Sequence, residues 1–563
     1  MNSRGIKNID FDCLSKDQSR LFNNIAEEII SEYHAIIEHV SASNLDNIYW
    51  WVSNISSRNY HESDLFLILV KIAFIENVMN QKIEFSCVLV NDMYEKKIFQ
   101  CVFGDLISIK IKKQNLKQRI KQSIIFRVYM FIKLILNILK FWINAKLFDS
   151  LTLQDLKQEK LNIIQVFALP NSFNSDGFKD RYFGGLFDQI KEKVNGSLFY
   201  MINIISVKQF KLYLKKVSQA KDTFIIPISW ISFIDIIWVC MYGVFLRSVK
   251  IKNVMFKERN IDYIIKILIK KSIYNQASYS GLIKSCFIRS IKKKGVDLHW
   301  CLSWFENQSH DKGFYFALNR QYKDCISIGY VGSFFHNYYF CLSPTKTEYN
   351  HTVLPSQIAI FGKRVTSIVN RFNKFDNLVV YPTFRMNGVW KYHLKVADKI
   401  QNILVGLPIL QIESSYILGE IQKFNKNFND MGIQFSIKFH PAHSTKYKEQ
   451  FNELEIVEGD FSDMVYSNDA FIGLAGCTPM EALALNIPTI ILTDPSKGLF
   501  LNPFPKDIDK RLYKVCFTAD DLYLAISEFN TRTQEEKDTC KHLAHDIRAG
   551  YFEPFTDSFS LMA

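Results

Sequence analysis

No CxxC pair occurs among the 11 cysteines, which are scattered from Cys13 to Cys540. That pattern speaks against a disulfide framework or a zinc knuckle and for a reducing compartment. The first 20 residues (MNSRGIKNIDFDCLSKDQSR) are polar and hold no apolar stretch of the secretory kind, so a cytosolic location is expected. No internal repeat or low-complexity linker stands out, and no Asp or Glu occurs between Leu106 and Leu147. Hydrophobic content of 48% and charged content of 22% exclude a disordered or fibrous chain. The 563 residues are too many for one core and suit two or three packed domains.

What is present is basic and aromatic. The net charge is +13, and 47 Phe contribute to an aromatic content of 14%. Such a balance suits phosphate-bearing partners or anionic lipid. Ten Lys/Arg fall between Lys110 and Lys146. Within that stretch, IIFRVYMFIKLILNILKFWI (124–143) reads as a basic amphipathic helix, with Arg127, Lys133 and Lys140 gathered on one side. A helix of this kind is expected to lie on a membrane surface with its cations toward anionic headgroups. A second apolar stretch, 224–246, is long enough to span a bilayer, but Pro227 and Asp235 count against it. It reads as a buried or interfacial helix. A nucleic-acid partner is not expected, because the basic run is interleaved with aliphatic residues more than with stacking aromatics.

From about Asn162 the chain alternates apolar strand, short turn and helix. Strands are expected at 163–170, 197–205, 296–304 and 325–332, with a helix at 185–194 and a strand, Gly turn and helix from Leu354. A boundary falls near Phe372–Pro382. Beyond it, strands are expected at 402–410, 435–441, 454–459, 470–474 and 488–493, with a helix from Tyr416. These strands are apolar without alternation, as in parallel sheets covered on both faces. The expected fold class is α/β: two Rossmann-like doubly wound domains facing a central cleft, with ligands at the carboxyl ends of the strands. The expected division is 1–375, carrying the helical insertion at about 106–147, then 376–545, then a tail at 546–563.

Three features of the second half carry chemistry. Lys438-Phe439-His440-Pro441 closes a strand, where the His can donate to a phosphate oxygen and Pro441 fixes the turn. Gly473-Leu474-Ala475-Gly476-Cys477-Thr478-Pro479 joins a strand to a helix, with small residues and a Pro suited to the first helical turn. Glu481, in that first turn, can accept both hydroxyls of a ribose or simply face the helix dipole. Glu413, Ser414 and Ser415, after the first strand of this half, would share the cleft wall.

In order and spacing, the His-Pro and G-x-x-x-G-C-T-P-x-E-A-L set resembles the nucleotide-binding half of GT-B glycosyltransferases, in particular bacterial enzymes using CMP-activated Kdo, sialic acid or other nonulosonic acids. The resemblance implies that the His-Pro motif and a Ser/Thr turn hold the nucleotide phosphate and that the helix Glu holds the ribose. Cys477-Thr478 departs from the usual hydroxyl pair. Trp50-Trp51-Val52-Ser53-Asn54-Ile55-Ser56-Ser57-Arg58-Asn59, Asp180-Arg181-Tyr182-Phe183-Gly184-Gly185-Leu186 and Trp304-Phe305-Glu306-Asn307-Gln308 resemble a bacterial surface-carbohydrate biosynthesis family. The two resemblances together imply a metal-independent transferase without a bound cofactor, acting on an O-antigen, capsule or other lipopolysaccharide-type acceptor at the inner face of the membrane. The absence of a DxD cluster in a plausible catalytic loop agrees with that. The base would be Asp180 or Glu306. Arg58, beside Ser57, is the candidate for an acidic sugar's carboxylate. Two other readings stay open: a CDP-polyol phosphotransferase of teichoic-acid type, and an inactive GT-B scaffold, which Cys477 would suit.

Overall fold

The structure, a computed structural model, describes residues 8–113, 120, 123–157, 160–168, 172–174, 177–184, 186, 190, 197–204, 210–220, 222–451, 454–474, 476–496, 498–556, 559 and 561. The sequence expectation of a helix at 185–194 lies largely outside them.

The described residues before Leu151 form a helical layer around a three-stranded parallel sheet of β1 (Ile9–Asp10), β2 (Val88–Val90) and β3 (Ile109–Ile111). The helix Leu65–Asn80 is apolar on every side and lies buried within this layer. After it comes the long helix Ile124–Phe148, begun by Ser123, whose hydroxyl accepts the Phe126 N–H. This layer precedes the first large sheet, so residues 1–375 are not one Rossmann-like unit.

That sheet contains β4 (Leu161–Ala168), β7 (Ser197–Ile204), β8 (Phe224–Ile225), β11 (Leu298–Trp304), β12 (Ile326–Val331), β13 (Gln357–Ile360) and β14 (Leu378–Val380). The short hairpins β5 (Phe173–Asn174) with β6 (Gly177–Phe178), and β9 (Met255–Phe256) with β10 (Arg259–Asn260), stand outside it. Its order is β14-β13-β12-β11-β4-β7-β8, every neighbour parallel. The second sheet holds β15 (Asn402–Gly406), β16 (Gln434–Lys438), β17 (Glu455–Ile456), β18 (Ala470–Gly473), β19 (Thr489–Leu492) and β20 (Tyr513–Cys516), in the order β17-β16-β15-β18-β19-β20, again all parallel. Both sheets are doubly wound: the chain starts in the middle, runs to one edge, returns to the middle and runs to the other. The points of reversal lie between β4 and β11 and between β15 and β18, where crevices open at the carboxyl ends.

Two expectations need correction. Residues 224–246 are not one helix. They open as β8, turn through Pro227–Trp230, and continue as helices Phe233–Cys240 and Tyr242–Phe245. Pro227 lacks the N–H a helix interior requires, and the Ser232–Asp235 capping box starts a new helix beyond it. No helix among the described residues is long and apolar enough to cross a membrane. The domain boundary also lies later than 375, because β14 pairs with β13.

The two sheets are tied by more than the linker after Val380. Helix Gln534–Tyr551 runs past residue 545, and the chain after it returns to the first domain. There Glu553 N–H donates to Phe361 O (2.8 Å) and Thr383 N–H donates to Glu553 O (2.8 Å). The helical layer adds a further tie: Asn23 donates to Gly498 O (2.9 Å), and Lys506 pairs with Glu27 (2.9 Å).

Candidate functional site

The reversal point of the first sheet carries Asp180, in the loop after β4, and Glu306, just after β11. Tyr182 packs on Trp304 at 4.6 Å between ring centroids, which brings these two segments together. Asp180 Oδ1 accepts the N–H groups of Tyr182 and Phe183, both at 2.7 Å. Its Oδ2 is buried with no hydrogen-bond partner among the described residues. Burial pushes the Asp180 carboxyl up to about 6, against the pull of those two N–H groups. Glu306 is differently placed, with both oxygens occupied. Oε1 accepts from Trp304 Nε1 (3.1 Å), and Oε2 accepts from Gln308 Nε2 (2.5 Å) and Tyr339 OH (3.2 Å). Burial and then repulsion from Asp311 raise its pKa.

The second sheet supplies the facing wall. His440 lies just past the end of β16, half-buried, and its Nδ1 accepts the Ala442 N–H at 3.1 Å. The neutral ring therefore keeps its proton on Nε2, which is left as a donor. Burial, then the nearby His443, Arg181 and Arg385, push the imidazole down to about 4, so at neutral pH it is an uncharged donor. Lys438 is tethered to Gly459 O at 2.7 Å and feels Arg181 as well. Gly476 adopts φ +132, a conformation that favours glycine, and a Cβ there would meet nothing within 4 Å. Thr478, half-buried, and Glu481 begin the helix Thr478–Ala484, with Pro479 in its first turn. The Glu481 carboxyl makes no hydrogen bond or ion pair with a described residue. Burial pushes it up to about 7 despite Arg385.

Arg385 joins the two walls and carries no sequence signature. It sits in the segment after β14 that leads from one sheet to the other. It is exposed, and partial desolvation beside the neighbouring segments opposes its charge, but Cys477, Glu481, Tyr182 and Glu306 outweigh that and hold its pKa above the ordinary value. Its guanidinium lies 5.8 Å from the Tyr182 ring centroid and forms no hydrogen bond with a described residue. Arg181, next to Asp180, is exposed and reaches the neighbourhood of His440 and Lys438. The cleft thus gathers two arginines, a lysine and a neutral imidazole donor near the Glu481 carboxyl, with Asp180 buried next to Arg181 in sequence. This is a setting for a ligand with anionic groups at one end and hydroxyls at the other. Ile409, Leu410 and Ile412 form an exposed apolar lip at the start of the helix Gln411–Asn427, with Ser415 behind it bonded to Tyr447 OH at 2.9 Å. Pro441 is exposed at the turn.

Four expected site residues serve the fold instead. The Arg58 side chain is wholly buried and pairs with Glu348 at 2.9 Å, and Lys312 completes a buried triad on the same carboxylate. It offers no free fork to a sugar carboxylate. Ser57 donates to Asn54 O at 2.7 Å inside the same turn. Ser414 is buried and donates to Pro408 O at 2.9 Å. Cys477 is buried, and its thiol sulfur accepts the Phe334 N–H of the first domain at 3.3 Å. A thiol in that place satisfies an interdomain donor, so its replacement of a hydroxyl is no mark of a dead site.

Two doubly wound domains facing a cleft, with the C-terminal chain crossing back to the first, define the GT-B architecture. No family model matches the sequence, and no curated protein matches it closely. Among solved structures, S. aureus MnaA with UDP aligns over 71% of this chain and 93% of its own at 12% identity, with a TM-score of 0.39. UDP-GlcNAc 2-epimerase from Neisseria meningitidis bound to UDP-GlcNAc aligns over 69% and 95% at 11% identity, TM-score 0.38. Acinetobacter baumannii MurG aligns over 70% and 96% at 10% identity, TM-score 0.36. Likenesses this distant carry no functional weight, and the architecture rests on the strand order itself.

Removing the shared carboxylate of the triad leaves two buried cations unpaired. Glu348→Ala is therefore expected to cost about 3–5 kcal/mol of stability in denaturant titration. Arg58→Met, of similar length, is expected to destabilise the fold without changing the affinity of any ligand in the cleft.

Proposed function

We propose that the protein is a glycosyltransferase that moves an acidic sugar of the Kdo or nonulosonic-acid type from a CMP-linked donor to a surface-polysaccharide or lipid-linked glycan acceptor at the inner face of the cytoplasmic membrane. The observation that carries this reading is the convergence of His440, Arg181 and Arg385, from three separate segments, on the cleft that also holds Glu481. A CMP-sugar acid has two anions, its phosphate and its carboxylate, close to a ribose diol. His440 Nε2–H donates to the phosphate, the Glu481 carboxylate accepts the ribose hydroxyls, and a free guanidinium takes the sugar carboxylate.

In the transfer step the acceptor hydroxyl attacks the anomeric carbon while the bond from that carbon to the phosphate oxygen breaks. CMP leaves with the electron pair, and its added charge is met by His440 and the arginines. The acceptor proton goes to Asp180, whose Oδ2 has no partner among the described residues and whose pKa sits near the working range. Glu306, with both oxygens occupied, orients Tyr339 and Gln308. A CDP-polyol donor would present a diphosphate to the same cations, and the first experiment separates the two.

The test is a thermal-shift and calorimetric titration with CMP, CDP, UDP and GDP. CMP is expected to raise the melting temperature selectively, and His440→Ala to abolish the shift with the fold intact. Preference for UDP or GDP, or an unchanged response in the variant, overturns the donor assignment.

The Glu481 carboxyl must ionise to accept two hydroxyls, and its pKa in the free protein is about 7. Cytidine, which has no titrating phosphate, is expected to bind with a plateau above that pH and to weaken about tenfold per unit below it. Glu481→Gln should bind weakly at every pH. His440 adds no slope here, since it is neutral well above about 4.

Once a donor is in hand, Asp180→Asn is expected to lower kcat by about 10²–10⁴-fold while leaving CMP affinity unchanged, as removal of a general base does. Glu306→Gln should lose less. The reverse ranking in a turnover assay assigns the base to Glu306.

A further inference from the structure

The helix Ile124–Phe148 buries only Ile138 and Ala145 of its 25 residues. On the opposite side Ile125, Tyr129, Ile132, Leu136, Ile143 and Leu147 follow at helical spacing, between 49% and 82% exposed. Lys133 and Lys140 flank this stripe on one side and Lys146 on the other, all exposed. Arg127 does not join them. It is six residues from Lys133, about a third of a turn out of phase, and its guanidinium lies over the Tyr94 ring on the inner side. The cations thus frame an apolar stripe, and the helix carries no acid to oppose them.

This stripe has a neighbour. In the helices Phe233–Cys240 and Tyr242–Phe245, Phe233, Ile234, Ile237, Met241 and Val244 are exposed, Ile234 at 77%. The two parts are joined by Trp142, whose indole N–H donates to Ile231 O at 3.3 Å and whose ring lies 5.7 Å from Phe233. Lys294, over the Trp230 ring at 5.0 Å, adds a cation beside Lys146. The acids beside this surface are already engaged: Asp235 by its capping box with Ser232, and Asp149, which ends the long helix, by the Ser229 hydroxyl.

We propose that these three helices form one composite face that lies flat in the headgroup layer of an anionic membrane, with side chains inserted and lysines at the rim. An apolar strip framed by cations and free of exposed acids complements anionic lipid, its lysine stems lying along the apolar surface and their heads among the headgroups. The Phe233–Cys240 helix leaves the carboxyl end of β8, the same end of the sheet as Asp180 and Glu306. Docking on this face brings the first domain's half of the cleft to the membrane, where a lipid-linked acceptor would be met. This deepens the proposed function, and the acceptor part of it rests on that reading.

The test is co-sedimentation of the full chain with phosphatidylcholine vesicles, with and without phosphatidylglycerol, at low and high salt. Binding is expected only to the anionic vesicles and to weaken with salt. Ile125→Glu/Ile132→Glu should reduce it at least about tenfold, and Ile234→Glu alone should reduce it as well, because both helices insert. Lys133→Glu/Lys140→Glu should remove the preference for anionic lipid. The CMP thermal shift should persist in every variant, which separates failure of the surface from failure of the donor site and shows that the variants fold. Absence of vesicle binding, wild-type binding by Ile234→Glu, or light scattering showing a dimer that these substitutions dissolve would each overturn the proposal.

Discussion

The Glu348 carboxylate holds the molecule's first half together. Arg58 reaches it from the helical layer and Lys312 from the helix after β11, and all three side chains are sealed from water. Two cations on one carboxylate drive its pKa down to about 2 even though burial alone would raise it. Asn307, one residue beyond Glu306, also donates to Cys341 O in the same pocket. The layer that carries the exposed helix and the strand end that carries Glu306 are thereby fixed to one another by a network that tolerates no missing member.

Around that anchor, the cleft divides its work between the walls. The second domain supplies a donor nitrogen of fixed tautomer and a carboxyl poised to ionise. The first domain supplies a buried carboxyl with one oxygen unpartnered among the described residues. Arg385 stands where the chain passes from one to the other, within reach of charges on both. The division follows from topology, since each sheet reverses direction once and opens one crevice there.

Much of this architecture was legible in the amino-acid sequence. Runs such as NILVG and TIIL, apolar on both faces and bounded by turns, fit covered parallel strands, and each expected strand of the second half has a counterpart in the sheet. Residues 224–246 misled because apolar content alone does not distinguish a two-residue strand and two short helices from one long helix. The placing of His440, Gly476, Thr478 and Glu481 at a strand end, a turn and a helix start was readable because local motifs fix it. Arg385 was not, since its importance comes from neighbours on four distant segments. Arg58 and Ser414 misled for the converse reason: their types suit ligand binding, but partners far along the chain or across a turn have already taken their donors. The phase of Arg127 was within reach, because six residues is not a whole number of turns.

The return of the C-terminal chain to the first domain has a consequence of its own. It pairs with the linker at Thr383, and with the contact of Asn23 and Glu27 to the 498–506 loop it ties the two walls together at two places. A jaw tied in this way has little freedom to swing wide. The groups facing the gap are held near their working positions before anything enters, so the entropy of assembling them is already spent in folding. Selectivity then depends on which guest fits a preset gap rather than on how far the walls can travel to meet it.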